Sequence, residues 1–96
     1  MGNWVLKLNG LPKIMDQFDE GTIDIDFVFL KTARLVYDFW ERYYKKPKYA
    51  DIDWDKLDDI FENFRMGEGG DEEDFDSVLQ DLYDWADDNS VWIEPV

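Results

Sequence analysis

The sequence predicts an α+β domain that is mostly helical, with about three helices and a short antiparallel pair of terminal strands. Three observations lead there. Apolar residues recur at helical spacing over three long segments, they alternate at both ends of the chain, and only turns or one glycine-rich stretch interrupt them. An all-α bundle is the alternative if the ends do not pair. At 96 residues one compact unit over residues 1–96 is expected, large enough to bury about two thirds of its unfolded surface.

Near the N-terminus Trp4, Leu6 and Leu8 alternate with Val5 and Lys7, which is strand periodicity over residues 3–9, and Asn9-Gly10 followed by Pro12 is turn chemistry. Residues 13–21 permit a helical turn or two, or a loop. From Asp24 the set Ile25, Phe29, Thr32, Val36, Phe39 and Tyr43 forms a long amphipathic stripe, widened by Val28 and Trp40 and stopped by Pro47. Thr22 or Asp24 can cap it, Asp26 suits its first turn, and Lys45 and Lys46 suit its last. Ile23, Ile25, Phe27 and Phe29 also alternate, so its first turn could be strand instead.

Asp53 is an N-cap for a second helix whose Trp54, Leu57, Ile60, Phe61 and Phe64 face inward until Gly67. Gly67 to Gly70 reads as a helix stop and inter-helix loop. Asp74 can cap a third helix with the stripe Phe75, Val78, Leu79, Leu82 and Ala86, ended by Asn89 in the left-handed conformation. Trp92 opposes Val91 and Ile93 in a final short strand stopped by Pro95.

The charge is lopsided. The chain holds 24 Asp or Glu against 10 Lys or Arg, a net charge of −14. Residues 1–48 carry 8 cations and 7 anions, whereas residues 49–96 carry 2 and 17. A hydrophobic content of 45% with 17 aromatic residues (5 Trp, 5 Tyr, 7 Phe) separates the chain from disordered acidic segments. A uniformly acidified surface is the mark of high-salt adaptation, so concentration in one half points to a localised acidic face.

Absences restrict the chemistry. Zero Cys excludes disulfides, thiolate metal sites and thiol nucleophiles, and zero His removes the commonest general base and zinc ligand. No apolar run approaches the roughly 20 residues that span a bilayer, and anionic lipid would repel this charge. The N-terminus lacks a basic region followed by an apolar stretch of signal-peptide length. The expectation is a cytoplasmic protein of a bacterial cell or phage-infected host, without membrane partner or cofactor.

Removing the apolar stripes leaves the outward faces: Asp55, Asp58, Asp59 and Glu62 on the second helix, and Asp81, Asp84 and Asp88 on the third. Like-charge neighbours at such spacing cost a helix roughly 0.2–0.5 kcal/mol each, and Asp forms helix less well than Glu. Solubility needs a net charge of only about 2–8 in magnitude. Of the 24 acids, 17 are Asp, whose short side chain holds its carboxylate close to the backbone, where a partner meets it with little entropy to lose.

These features suit recognition of a basic protein surface, such as that of a nuclease or nucleic-acid-binding complex, which binds duplex through Lys and Arg aimed at phosphates. Tyr83 and Trp85 fall away from the centre of the third stripe and are the anchor candidates. The expected activity is stoichiometric occlusion, with no direct nucleic-acid binding, by a monomer or homodimer. Two settings use such an inhibitor: a bacterial immunity protein masking a nuclease toxin, and a phage protein that imitates DNA to block a restriction or CRISPR complex.

The alternative is a calcium-binding or acidic adaptor domain. Residues 51–62 place acids at loop positions 1, 3, 5, 9 and 12 of an EF-hand, but Lys56 stands where that loop needs Gly. An enzyme using paired carboxylates finds no feature that selects a pair, nor a phosphate loop or nucleophile motif, so none is expected. The cations and aromatics of residues 42–49 resemble a single-strand-binding patch. On so acidic a chain they read instead as a helix C-terminus complementing the dipole, able also to meet a neighbour's acidic half.

Overall fold

A computed structural model describes residues 4–67 and 69–95. Its order is β1 (Trp4–Leu8), α1 (Leu11–Asp19), α2 (Ile25–Tyr43), a 3-10 turn at Pro47–Tyr49, α3 (Trp54–Arg65), α4 (Glu72–Asp88) and β2 (Val91–Pro95). The protein is therefore mostly helical with two short strands, and it has four α-helices among the described residues. The additional one is α1. Gly10, at φ 99°, turns the chain out of β1, and Pro12 sits in the first helical turn, where its missing N–H has no bond to lose. Leu11 and Ile14 are buried.

The remaining helices start from side-chain caps. Asp24 accepts from the Phe27 N–H at 3.0 Å, so the alternating Ile25, Phe27 and Phe29 begin a helix and not a strand. Asp53 accepts from the Lys56 N–H at 3.1 Å. The third cap lies earlier than expected: Asp71, not Asp74, is N-cap, and the two form a reciprocal capping box. At the other end of α4 the left-handed residue is Ser90, at φ 56°, and not Asn89. Lys45 and Lys46 lie just beyond α2, whose last turn carries Arg42.

The terminal strands pair, but in parallel, with Trp4 opposite Val91 and Leu8 opposite Pro95. This corrects the antiparallel expectation. Strand direction is set by the path between the strands, and parallel neighbours need a long crossover connection. Here the whole helical body supplies it. Leu8, Val91 and Ile93 are buried, whereas Val5 and Trp92 are 55% and 64% exposed; the side chains of Trp4 and Leu6, expected on the inner face, lie outside the described ones. The Lys7 N–H donates to the Tyr43 hydroxyl at 3.3 Å, tying β1 to the end of α2.

Two aromatic groups fill the core. Phe29, Phe64 and Phe75 join α2, α3 and α4, with Phe75 5.5 Å from Phe29 in an edge-on contact and 5.7 Å from Phe64. Towards the other end Phe39, Trp54 and Trp85 meet, with the two indoles 5.8 Å apart. Gly67 passes directly over the Phe29 ring, where a Cβ would collide with it. The following loop is held to the start of α2 because the Gly69 N–H donates to Asp26 at 3.0 Å. Among the described residues no helix is long and apolar enough to cross a membrane.

Among the described residues one buried side-chain oxygen is unpaired. Thr32 is fully buried on α2 and its Oγ1 has no hydrogen-bond partner. An unmade buried hydrogen bond costs about 1–3 kcal/mol, so Thr32→Val should stabilise the fold by about 1 kcal/mol. For a domain of this size that corresponds to a rise in Tm of about 4–8 °C, measured by thermal unfolding followed by circular dichroism.

Candidate partner-binding face

The acidic helices α3 and α4 are held together at Asp53. Its side chain caps α3, its C=O accepts from the Trp85 indole N–H at 2.7 Å, and its N–H donates to the Asn89 amide oxygen at 2.9 Å. The Asn89 amide nitrogen in turn donates to the Trp85 carbonyl at 2.7 Å. The start of α3 is thus fastened to the last turn of α4. Leu57, Ile60 and Phe64 of α3, with Phe75, Leu82 and Trp85 of α4, bury the shared apolar faces.

This pairing brings four of the expected acids around one recess. A groove of ≈ 300 Å³ between the helices is lined by Asp59 of α3 and Asp81, Asp84 and Asp88 of α4, with Lys56 and Asn63 beside them. All four acids are exposed, and Asp84 accepts from the Gln80 amide at 3.0 Å. The other three expected acids are not among its lining residues. Asp55 is exposed in the first turn of α3, and Asp58 borders Tyr37, Trp40 and Phe61 on the side towards α2. Glu62 is bound to Arg65 at 2.7 Å.

That guanidinium, through its hydrogen bond and its charge, holds the Glu62 carboxyl below its ordinary value. The contribution is fully present above the usual carboxylate range and is lost as pH falls through the lowered value. Both side chains are solvated, so the pair adds little stability.

Of the two anchor candidates, Tyr83 reaches the surface and Trp85 does not. Trp85 is only 2% exposed and its indole is committed to Asp53, so it is a core residue that borders the acid groove from beneath and does not project from it. Tyr83 is half-buried, and burial pushes its phenol above the usual range. It borders a second recess of ≈ 450 Å³ together with Asp84, Asp87 and the exposed Trp92 of β2. Trp92 and Asp87 are the residues that the helix faces alone did not select. The signal was present in β2: with Val91 and Ile93 facing inward, alternation turns Trp92 outward.

Asp84 lines both recesses, so the acid groove and the Tyr83–Trp92 surface are continuous. The calcium loop does not form. Residues from Trp54 onward are helical, and Asp53 is spent on the cap; among the described residues no group of three or more acids converges as metal ligands would. In the basic segment Arg42 and Lys46 lie 6.0 and 5.9 Å from the Tyr43 ring centre, placing their charge at the end of α2.

Compared with protein families, characterised proteins and solved structures, the chain matches none.

Concentrating like charge on α3 and α4 carries a measurable cost. Raising ionic strength from about 0.02 M to about 0.5 M shortens the screening length from about 20 Å to about 4 Å, so Tm should rise with salt. Asp81→Asn and Asp88→Asn should each stabilise the free protein by about 0.2–0.5 kcal/mol at low salt. The gain should shrink at high salt, as read from denaturant unfolding in the two buffers.

Proposed function

We propose that the protein is a small acidic inhibitor that occludes the basic surface of a nuclease or other nucleic-acid-binding protein. The observation that carries this reading is the position of Asp84. It joins a row of carboxylates drawn from two rigid helices to a recess bordered by the exposed Trp92 and the half-buried Tyr83. Charge of this kind steers encounter and excludes wrong partners, and an indole entering a pocket of the partner supplies the affinity that charge alone does not.

The chemistry of the face fits Lys and Arg side chains otherwise aimed at phosphate. Helical neighbours three or four residues apart repeat every ~5 Å along the axis, on the scale of the charge spacing of duplex DNA. Asp81, Asp84 and Asp88 have that spacing. Bound there, the inhibitor fills the nucleic-acid site stoichiometrically and without turnover. A phage protein imitating DNA against a restriction or CRISPR complex, and an immunity protein masking a nuclease toxin, would both work through this occlusion.

Affinity capture from the native host, followed by competition, tests the proposal. Duplex DNA should displace the captured partner. Replacing Asp81 and Asp84 by Lys should weaken capture by about 100-fold or more, in line with the cost of reversing charges at a close interface. The same reversal at Asp16 and Asp19, exposed on α1, should have little effect. Equal losses from the two pairs, or a ternary complex holding DNA and inhibitor together, would overturn it.

A further inference from the structure

A wide recess lies between the exposed face of α2 and the side of α3 that carries Phe61 and Arg65, with no lining residue in common with the acid groove. It measures ≈ 790 Å³, and its walls include Phe27, Leu30 and Tyr37 of α2 and Phe61 of α3. Phe27, Leu30 and Tyr37 are 54%, 50% and 46% exposed, an unusual apolar content for the outer face of a helix that buries a full stripe on its inner side.

The α2 charges lining this groove are ordered along the helix, while a further cation, Arg65 of α3, is paired with Glu62. Lys31 and Arg34 lie towards the N-terminal end, and Asp38 and Glu41 towards the C-terminal end. None of the four makes an ion pair with another described residue. We infer that this groove is a self-association face at which two copies meet across a two-fold axis, α2 against α2 and running in opposite directions.

Antiparallel apposition sets Arg34 opposite the second copy's Asp38, and Lys31 opposite its Glu41. Both pairs are centred at the level of Val36, so one axis satisfies both, with Tyr37 beside it. An isologous interface has this property: if one residue contacts another across the axis, the reverse contact follows by symmetry. The row would be as well ordered for no parallel arrangement, which sets cation on cation.

The charge distribution favours a second copy over other occupants. Residues 49–96 carry 17 acids and 2 cations, so copies repel one another wherever α3 and α4 meet. On α2 the groove brings two cations and two anions, and the Arg65 that α3 adds is neutralised by Glu62, so there the copies come together without net repulsion. Polyanions find Asp38 and Glu41 in the way. The dimer leaves both acid grooves free, on faces other than the joined one, and so does not depend on what those grooves bind.

Charge exchange tests this with the full chain. Sedimentation equilibrium at submillimolar concentration should give twice the chain mass for the wild type. R34D alone and D38R alone should each weaken dimerisation about tenfold or more, because each places like charges at two symmetry-related contacts. An equimolar mixture of the two variants should recover a dimer, now a heterodimer, and the R34D/D38R double variant should dimerise by itself. Circular dichroism of each variant confirms that these exposed positions leave the fold intact. A wild type that stays monomeric overturns the inference, as does a dimer indifferent to the single changes or one that neither the mixture nor the double variant restores.

Discussion

The architecture of the acidic half depends on how the backbone of one residue, Asp53, is held. Its N–H and C=O are both taken by the end of α4, through Asn89 and Trp85, while its own side chain starts α3. A helix start leaves backbone donors without intrahelical partners, and a helix end leaves acceptors. Here the Asn89 amide serves both ends, accepting from the Asp53 N–H and donating to the Trp85 C=O, and the Trp85 indole adds a bond to the Asp53 C=O. The carboxylates of α3 and α4 repel, and only an attachment of this kind, backed by the apolar contact of Leu57, Ile60 and Phe64 with Phe75, Leu82 and Trp85, keeps them side by side.

The aromatic core offsets that repulsion. Each like-charge neighbour costs a few tenths of a kcal/mol, whereas burying an aromatic or aliphatic side chain returns about 1.5–3 kcal/mol. Phe29, Phe64, Phe75 and Trp85 are almost wholly buried. The surplus from the core tolerates an acid row that stability alone would not choose. The short Asp side chain keeps each charge near rigid backbone, so a partner of the proposed kind would meet a fixed array and spend little on ordering it.

Much of this was legible in the sequence because helical periodicity and caps are local. The stripes of α2, α3 and α4, and the caps at Asp24 and Asp53, follow from residues within one or two turns. The direction of β2 was not legible, since it depends on the path of the helices lying between it and β1. The exchange of Asp71 for Asp74 as cap reflects a choice between two acids three residues apart that share one capping box. Trp85 sits at the margin of its stripe, a position that suggests the surface; the closeness of Asp53, distant in sequence, draws it into the core. Likewise the seven acids of two helix faces look alike in sequence, but only the packing of α3 on α4 separates Asp59, Asp81, Asp84 and Asp88 from Asp55, Asp58 and the paired Glu62.

If the acidic half is a binding face, the placement of its carboxylates, and not net charge, makes it one. Asn89→Ala tests this most directly, because it removes the amide part of the attachment to Asp53 and leaves the Trp85 indole bond, all the carboxylates and the net charge unchanged. Loss of these hydrogen bonds should cost about 1–3 kcal/mol. Partner affinity, measured calorimetrically at a temperature where circular dichroism shows the variant folded, should fall at least about tenfold, the equivalent of about 1.4 kcal/mol. Affinity equal to that of the wild type would show that charge suffices wherever it stands, and would contradict the account.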